Sequence, residues 1–391
     1  MPSDPVVIAS AARTPMGGFQ GALKSVPAPA LGAAAIRAAV ERARINSNEV
    51  DEVIMGNVLS AGQGQAPARQ AALGAGLPES TGCTTINKVC GSGMKAAMIA
   101  HDLITMGTNR VMVTGGMESM SNAPYLLPKA RAGLRLGHAE IKDHMFLDGL
   151  EDAYDSGRLM GTYAEETAVK YGYTREAQDR YAIASLTRAQ DAIRSGRFRN
   201  EIVPVAAGTV SVEDDEQPLK ANAERIPQLK PAFRKDGTVT AANSSSISDG
   251  AAAMVLMRLS EAERRGIAPL ARIVGHATHA QAPAWFTTAP VRAIQKLFEK
   301  TGWDAKSTDL FEINEAFAVV AMAAMDDLKL THERVNVHGG ACALGHPLGA
   351  SGARIMVTLL NALEAHGLRR GIAALCIGGG EATAIALERW V

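Results

Sequence analysis

The chain has 391 residues, too many for one ordinary core, so two or three lobes are expected. Hydrophobic residues at 47% and charged residues at 20% are the proportions of a soluble globular protein. The 40 Lys+Arg balance the 40 Asp+Glu, which leaves no field to draw in nucleic acid or an anionic membrane, and no run reaches the roughly eighteen apolar residues of a membrane span.

Met1-Pro2-Ser3-Asp4-Pro5 runs directly into a strand-like Val6-Val7-Ile8-Ala9, with no basic or apolar targeting pattern. A strand is predicted over 5–11, an Ala-rich helix over 28–44 and a strand over 51–56. A helix over 64–76, a strand over 83–88, a helix over 91–106 and a strand over 110–115 complete a first alternating unit. The stretch 121–250 breaks the pattern with Pro124, Pro128, a long helix near 174–196 and the acidic run Glu213-Asp214-Asp215-Glu216, expected to be a solvated hairpin tip. From Leu270 the alternation resumes to the end.

The second unit repeats the first. Ile36–Glu41 (IRAAVE) aligns with Ile294–Glu299 (IQKLFE), and Asp51 with Asp309, both at an offset of 294 − 36 = 258. Gly91-Ser92-Gly93 aligns with Ala350-Ser351-Gly352 at 352 − 93 = 259, and Gly115-Gly116-Met117-Glu118 with Gly378-Gly379-Gly380-Glu381 at 381 − 118 = 263. Ordered matches with drifting offsets indicate a duplication carrying small loop insertions. The expected division is 1–120 plus 251–268, an inserted domain over 121–250, and 269–391.

The four cysteines, at 83, 90, 342 and 376, lack Cys-x-x-Cys spacing, which argues against a disulfide framework or a zinc site and fits a reducing cytoplasm. No metal site is expected. The C-terminal Glu388-Arg389-Trp390-Val391 does not read as a peroxisomal address. Cys90 stands where a strand meets Gly91-Ser92-Gly93 and a helix; free amides and the helix dipole there are expected to favour thiolate and lower its pKa. His346, set among glycines in Gly345-His346-Pro347-Leu348-Gly349, precedes the matching helix of the second unit. If the units pack about a pseudo-twofold axis, an imidazole could take the Cys90 proton. Cys376 closes a strand before Gly378-Gly379-Gly380, whose amides suit an oxyanion. Read alone, Cys90 could equally be an inert core residue, and for Cys376 the inert reading is the stronger. His101 and the His276/His279 pair have no comparable setting.

Five segments change that balance. Asn87-Lys88-Val89-Cys90-Gly91-Ser92-Gly93, Gly115-Gly116-Met117-Glu118-Ser119-Met120-Ser121, Asn314-Glu315-Ala316-Phe317, Gly345-His346-Pro347 and Cys376-Ile377-Gly378-Gly379-Gly380 resemble thiolase signatures, in thiolase order, across essentially the whole chain. The resemblance implies a duplicated five-layer α-β-α-β-α fold with an inserted loop domain. It implies that Cys90 carries the acyl group, that His346 activates it, and that Cys376 moves a proton on the α-carbon. Asn314 would fix a water in one oxyanion hole, and the amides of Cys90 and Gly378 would form another. Ser245 and Phe233 match positions beside the pantetheine arm, and Met160, Ala316 and Phe317 match the acyl pocket. Lys220 and Arg225 are candidates for the nucleotide phosphates.

Within the family, Gly64-Gln65-Ala66-Pro67-Ala68-Arg69-Gln70 and Phe286-Thr287-Thr288-Ala289-Pro290 are most similar to short-chain acetoacetyl-CoA thiolases. The implied activity is acetyl-CoA acetyl transfer, with coenzyme A as substrate or product, no required cofactor, and a homotetramer or dimer. Leu159 departs from the His-Met-Gly usual in that subgroup, which keeps a broader 3-oxoacyl-CoA thiolase as the alternative. A nucleotide-dependent oxidoreductase is disfavoured because no Gly-x-Gly-x-x-Gly joins a strand to a helix. A non-catalytic acyl-CoA-binding relative should lack one reactive group, whereas both cysteines and His346 are present; related ketosynthases use a Cys-His-His set, whereas this chain has Asn314 and Cys376 at the corresponding places.

Overall fold

The computed structural model describes residues 4–390; Met1 to Ser3 and Val391, which belong to the predicted first and last segments, lie outside the described residues. The first unit comprises β1 (Val6–Arg13), α1 (Ala28–Ala43), β2 (Glu52–Gly56), α2 (Pro67–Gly74), β3 (Gly82–Ile86), α3 (Ser92–Thr105) and β4 (Val111–Ser119). The intervening segment carries α4 (Met160–Tyr171) and α5 (Arg175–Arg194), and ends as the chain enters β5 (Ser248–Arg258). The second unit follows with β6 (Ala271–Ala280), α6 (Ala289–Thr301), β7 (Leu310–Ile313), α7 (Ala318–Leu328), α8 (Leu348–Ala365), β8 (Arg370–Ile377) and β9 (Glu381–Arg389). The boundary expected at 250 therefore falls inside β5.

The strands form one sheet in the order β7-β8-β9-β6-β1-β5-β4-β2-β3. β2 runs parallel to β3 and β4, and β7 parallel to β8, while the central pairings are antiparallel. Within the sheet the halves meet where β1 pairs with β6, through Val7↔Arg272 and Ile8↔Ala271. Even the parallel β2–β3 pairing has a counterpart, a single parallel bridge from Phe311 to Val335.

Side-chain alternation builds the layers. Ile8, Met112, Met254, Leu256, Leu375 and Ile385 face inward against α3 and α8. Val7, Val113, Val255 and Met257 face outward under α1 and α2. Ile372, Ala374 and Ala384 face outward under α6 and α7. Both sheet faces are thus apolar, as strands covered by helices on each side must be. α8 is buried along Leu348–Leu363 because it lies at the centre, and its one buried guanidinium, Arg354, is paired with Glu312 at 3.0 Å. The result is the α-β-α-β-α stack expected from the sequence.

At the middle of the stack α3 and α8 touch through backbone. A Cβ on Gly93 would lie 2.8 Å from Ala353 N, and one on Gly352 would lie 2.4 Å from Met94 N. The two contacts are reciprocal under the 259-residue offset, so a pseudo-twofold axis passes between them.

The fourth repeat match is corrected by the sheet register. Glu52 pairs with Met112, and Leu310 with Gly371, giving β4 and β8 an offset of 371 − 112 = 259. Gly378–Gly380 is the turn after β8, whereas Gly115–Glu118 lies within β4, so the offset of 263 matched a strand to a turn. A second correction concerns the acidic run. Glu213 and Asp214 are exposed, but Asp215 is fully buried and accepts two bonds from Arg13, at 2.7 and 2.8 Å. Arg13 is itself buried at the end of β1 and also pairs with Glu201 at 2.6 Å. A buried guanidinium requires counter-charges, and that requirement draws half of the run inside.

Candidate active site

The turn from β3 into α3 places Cys90. Val89 adopts φ 46°, a costly conformation for a β-branched residue. Cross-bracing holds it there: Lys88 N donates to Ser92 Oγ at 2.8 Å, and Ser92 Oγ donates to Val89 O at 2.6 Å. Gly91 has no room for a side chain, since a Cβ would lie 2.4 Å from Ile377 Cδ1. Its absence lets the end of β8 close onto the turn, bringing Cys376 and Gly378 up to the Cys90 sulfur.

The Cys90 thiol is buried, and burial pushes its pKa up to about 11, against the pull of the Gly378 and Cys90 amides. The expectation of a depressed pKa is therefore overturned. Two amides cannot offset the loss of water around a thiolate. Those amides do converge on the sulfur, the position from which they would hold an oxyanion on an attached acyl carbon.

His346 precedes α8 and is held from both sides. Gly345, at φ 100°, leaves no space for a Cβ, which would lie 2.0 Å from Ser248 Oγ. The His346 amide donates to Ser246 O at 3.1 Å. Ser351 Oγ lies 2.5 Å from His346 Nδ1 and donates its single proton to Pro347 O at 2.9 Å. Ser351 must then accept from Nδ1–H, which assigns the bare lone pair to Nε2. His346 Nε2 is buried with no hydrogen-bond partner. Burial also drives the His346 pKa down to about 3, so the ring is neutral. The resting pair is thiol and imidazole.

Asn314 enters the site at the end of β7, where its amide donates to Ala374 O at 3.0 Å. Its side-chain nitrogen lies 3.5 Å from His346 Nδ1, and its Oδ1 is buried without a partner. The adjacent Glu315 accepts from Tyr181, Ser185 and Asn336 at 2.8 Å each and from Cys342 N at 3.0 Å. Cys376 is buried at the end of β8; burial first, and the closeness of a second titrating thiol at Cys90, raise its pKa well above the ordinary value.

Cys90 and His346 share a cavity of about 360 Å³ with Met160, Phe233, Ser245, Ala316 and Phe317. Ser245 anchors its rim, its amide and Oγ both donating to Ala316 O at 2.9 and 3.0 Å. Phe233 and Phe317 meet edge to face at 5.9 Å, and Gly161 packs under the Phe233 ring. Leu159 lines the same cavity, beside Phe146 and Leu150. Arg225 lines a neighbouring cavity of about 250 Å³ that shares Ala241 and Ser246 with the first. Lys220 is not brought in; it is exposed and pairs with Glu216.

Two conserving roles were not foreseen. Ser351 orients His346, and Glu118 ties the halves together by accepting from Val58 N, Leu59 N and Gly349 N at 3.0, 3.1 and 2.8 Å. The signal for Ser351 was its repeat partner Ser92, which braces the Cys90 turn from the equivalent place.

Family models describe this arrangement. Residues 6–260 match the thiolase N-terminal domain and 267–389 the thiolase C-terminal domain. The chain belongs to the thiolase family. Similar thiolases include an acetyl-CoA acetyltransferase of Pseudomonas aeruginosa, 49% identical over 390 residues, covering 98% of this chain and 99% of that one. Acetyl-CoA acetyltransferase 2 of Arabidopsis thaliana is 52% identical, covering 98% and 96%. The cytosolic acetyl-CoA acetyltransferase of Mus musculus is 49% identical, covering 99% of each. A thiolase of Ascaris suum, solved in complex with coenzyme A, superposes with a TM-score of 0.94 at 44% identity, covering 98% of this chain and all of that one.

Proposed function

We propose that this thiolase is an acetyl-CoA C-acetyltransferase, which joins two acetyl-CoA into acetoacetyl-CoA and CoA, or reverses that reaction, through an acyl group on Cys90. The observation that carries this reading is one cavity holding a neutral Cys90 thiol beneath two amides and a His346 Nε2 free to accept a proton.

In the cleavage direction, His346 Nε2 takes the Cys90 proton as sulfur attacks the 3-oxo carbon. The amides of Cys90 and Gly378 hold the resulting oxyanion. The bond between C2 and C3 breaks, leaving an acyl-Cys90 thioester and the enolate of acetyl-CoA. His346 Nε2–H, with a water held by Asn314, stabilises the enolate oxygen, and Cys376 gives its proton to C2. Incoming CoA–SH returns a proton to the Cys376 thiolate and its sulfur takes the acyl group. The Cys90 thiolate then recovers its proton from His346, and every group is restored. A covalent intermediate separates the electrophile from the carbanion in time.

Within this reading, Ser245, Phe233, Met160, Ala316 and Phe317 hold the pantetheine arm and acyl group, and Arg225 meets the nucleotide phosphates. Residues 121–250 carry CoA and the contacts between subunits of a cytoplasmic homotetramer or dimer. Support for subunit contact is the exposure of Tyr125, Leu136 and Ile141, at 69%, 98% and 68%, on that segment. Light scattering of the purified protein tests it.

Leu159 supports a second reading. Beside Phe146, Leu150 and Met160 it makes the lining apolar, which suits a longer chain. CoA-dependent cleavage of acetoacetyl-CoA, 3-oxohexanoyl-CoA and 3-oxooctanoyl-CoA, with Cys90→Ala as control, decides between them. Preference for acetoacetyl-CoA is expected; faster turnover of the longer substrates would move the assignment to a broad 3-oxoacyl-CoA thiolase. No cleavage of any would sink the catalytic reading.

A further inference from the structure

Remote from the cavity, three potential metal ligands meet across the two halves. His101 and Asp102 lie near the end of α3, and His276 lies on β6 of the other half. His101 Nδ1 is 3.0 Å and His276 Nε2 is 2.9 Å from the same oxygen of Asp102. The three ligand atoms all lie within 4.8 Å of one another. We propose that His101, Asp102 and His276 form a binding site for a divalent transition metal, of which zinc fits best, and that the ion clamps the two halves of the thiolase fold.

Two imidazoles with one carboxylate select zinc, cobalt, nickel or copper over calcium or magnesium, which take oxygen ligands. Ligands about 2.0 Å from a tetrahedral zinc are roughly 3.3 Å apart, close to the two N···O separations already present. The rings are preset by packing, edge to face at 5.1 Å, and their side chains are only 19% and 14% exposed. Asp102 is 59% exposed, so water can reach the fourth position. Binding needs the tautomers with bare Nδ1 on His101 and bare Nε2 on His276, each proton moving to the other ring nitrogen. Lys300 Nζ, which donates to His276 O at 2.9 Å, brings a positive charge close by and limits affinity. Cys90 lies beyond the opposite end of α3, about 16 Å away along the helix, so the ion acts on cohesion and leaves the chemistry alone.

The test uses the metal-free, full-length enzyme. Zinc chloride should raise Tm by roughly 2–4 °C at saturation. Cobalt(II) should give tetrahedral visible absorption without thiolate-to-cobalt charge transfer. His276→Gln and the surface substitution Asp102→Asn should each weaken metal binding by about tenfold or more, with turnover unchanged. Metal affinity equal to the parent's in both variants would place the ion elsewhere, thiolate charge transfer in the parent would place it on a cysteine, and either would overturn the proposal. No binding of either metal would overturn it as well.

Discussion

Gly352→Ala tests whether the contact between α3 and α8 sets the catalytic geometry. The new methyl would lie 2.4 Å from Met94 N and 2.8 Å from Met94 Cβ, neither of which can swing aside. Reaching even a tight 3.4 Å contact requires the helices to part by 3.4 − 2.4 = 1.0 Å. Alanine favours a helix interior by about 1 kcal/mol over glycine, whereas overpacking a core costs about 1–3 kcal/mol. A net loss of roughly 0–2 kcal/mol is expected. Cys90 and His346 stand at the N-terminal ends of these two helices, so the same separation misplaces nucleophile and base. A displacement of about 1 Å is worth about 10²-fold in rate. The assay is acetoacetyl-CoA thiolysis together with urea unfolding, with Gly74→Ala on remote α2 as control. Parent-like turnover in Gly352→Ala, whatever happens to its stability, would refute the claim that this crossing positions the pair.

Alkylation of the free enzyme by iodoacetamide should accelerate with pH without levelling below about pH 9, since burial holds the Cys90 pKa at about 11. A plateau near pH 7 would instead indicate a resting thiolate–imidazolium pair. Ser351→Ala leaves His346 Nδ1–H unpaired and frees the ring, so kcat should fall about 10–100-fold with little change in KM; a purely structural serine would lower Tm and spare kcat. His338 is buried with neither ring nitrogen bonded, and its pKa is pushed down to about 4 by burial. The unfolded chain therefore binds the extra proton, so this stability is complete above pH 6.5 and is lost as pH falls toward 4, by roughly 3 kcal/mol. Urea titrations at pH 7 and pH 4.5 should show a shallower acid loss in His338→Phe; an unchanged slope would exclude His338 as the source.

The layered fold was legible because both sheet faces are covered, which leaves short apolar strands alternating with longer amphipathic helices. Every strand and helix predicted for the first unit is present, although the strand over 83–88 stops at Ile86, where the chain begins to bend into the left-handed Val89. Cys90, His346 and Asn314 were legible through their glycine-rich or motif settings. The Cys90 pKa was not. Helix amides can be inferred from sequence order, but desolvation depends on what closes over the sulfur, and Ile377 comes from nearly three hundred residues away in the chain. Asp215 was misread for the same reason, since its partner Arg13 lies in another element. His101 and His276 became a cluster only when α3 and β6 came together.

The reciprocal contact at Gly93 and Gly352 has a bearing on how such a site can arise. Under the 259-residue offset, the position matching Cys90 is Gly349 and the position matching His346 is Asn87. Two identical half-chains assembled about a true dyad would be obliged to carry the same residue at both places, giving two copies of whatever chemistry they held. Fusion into one polypeptide lifts that obligation. One copy becomes free to specialise as nucleophile and the other as base, and a single asymmetric reaction centre is built from a symmetric scaffold.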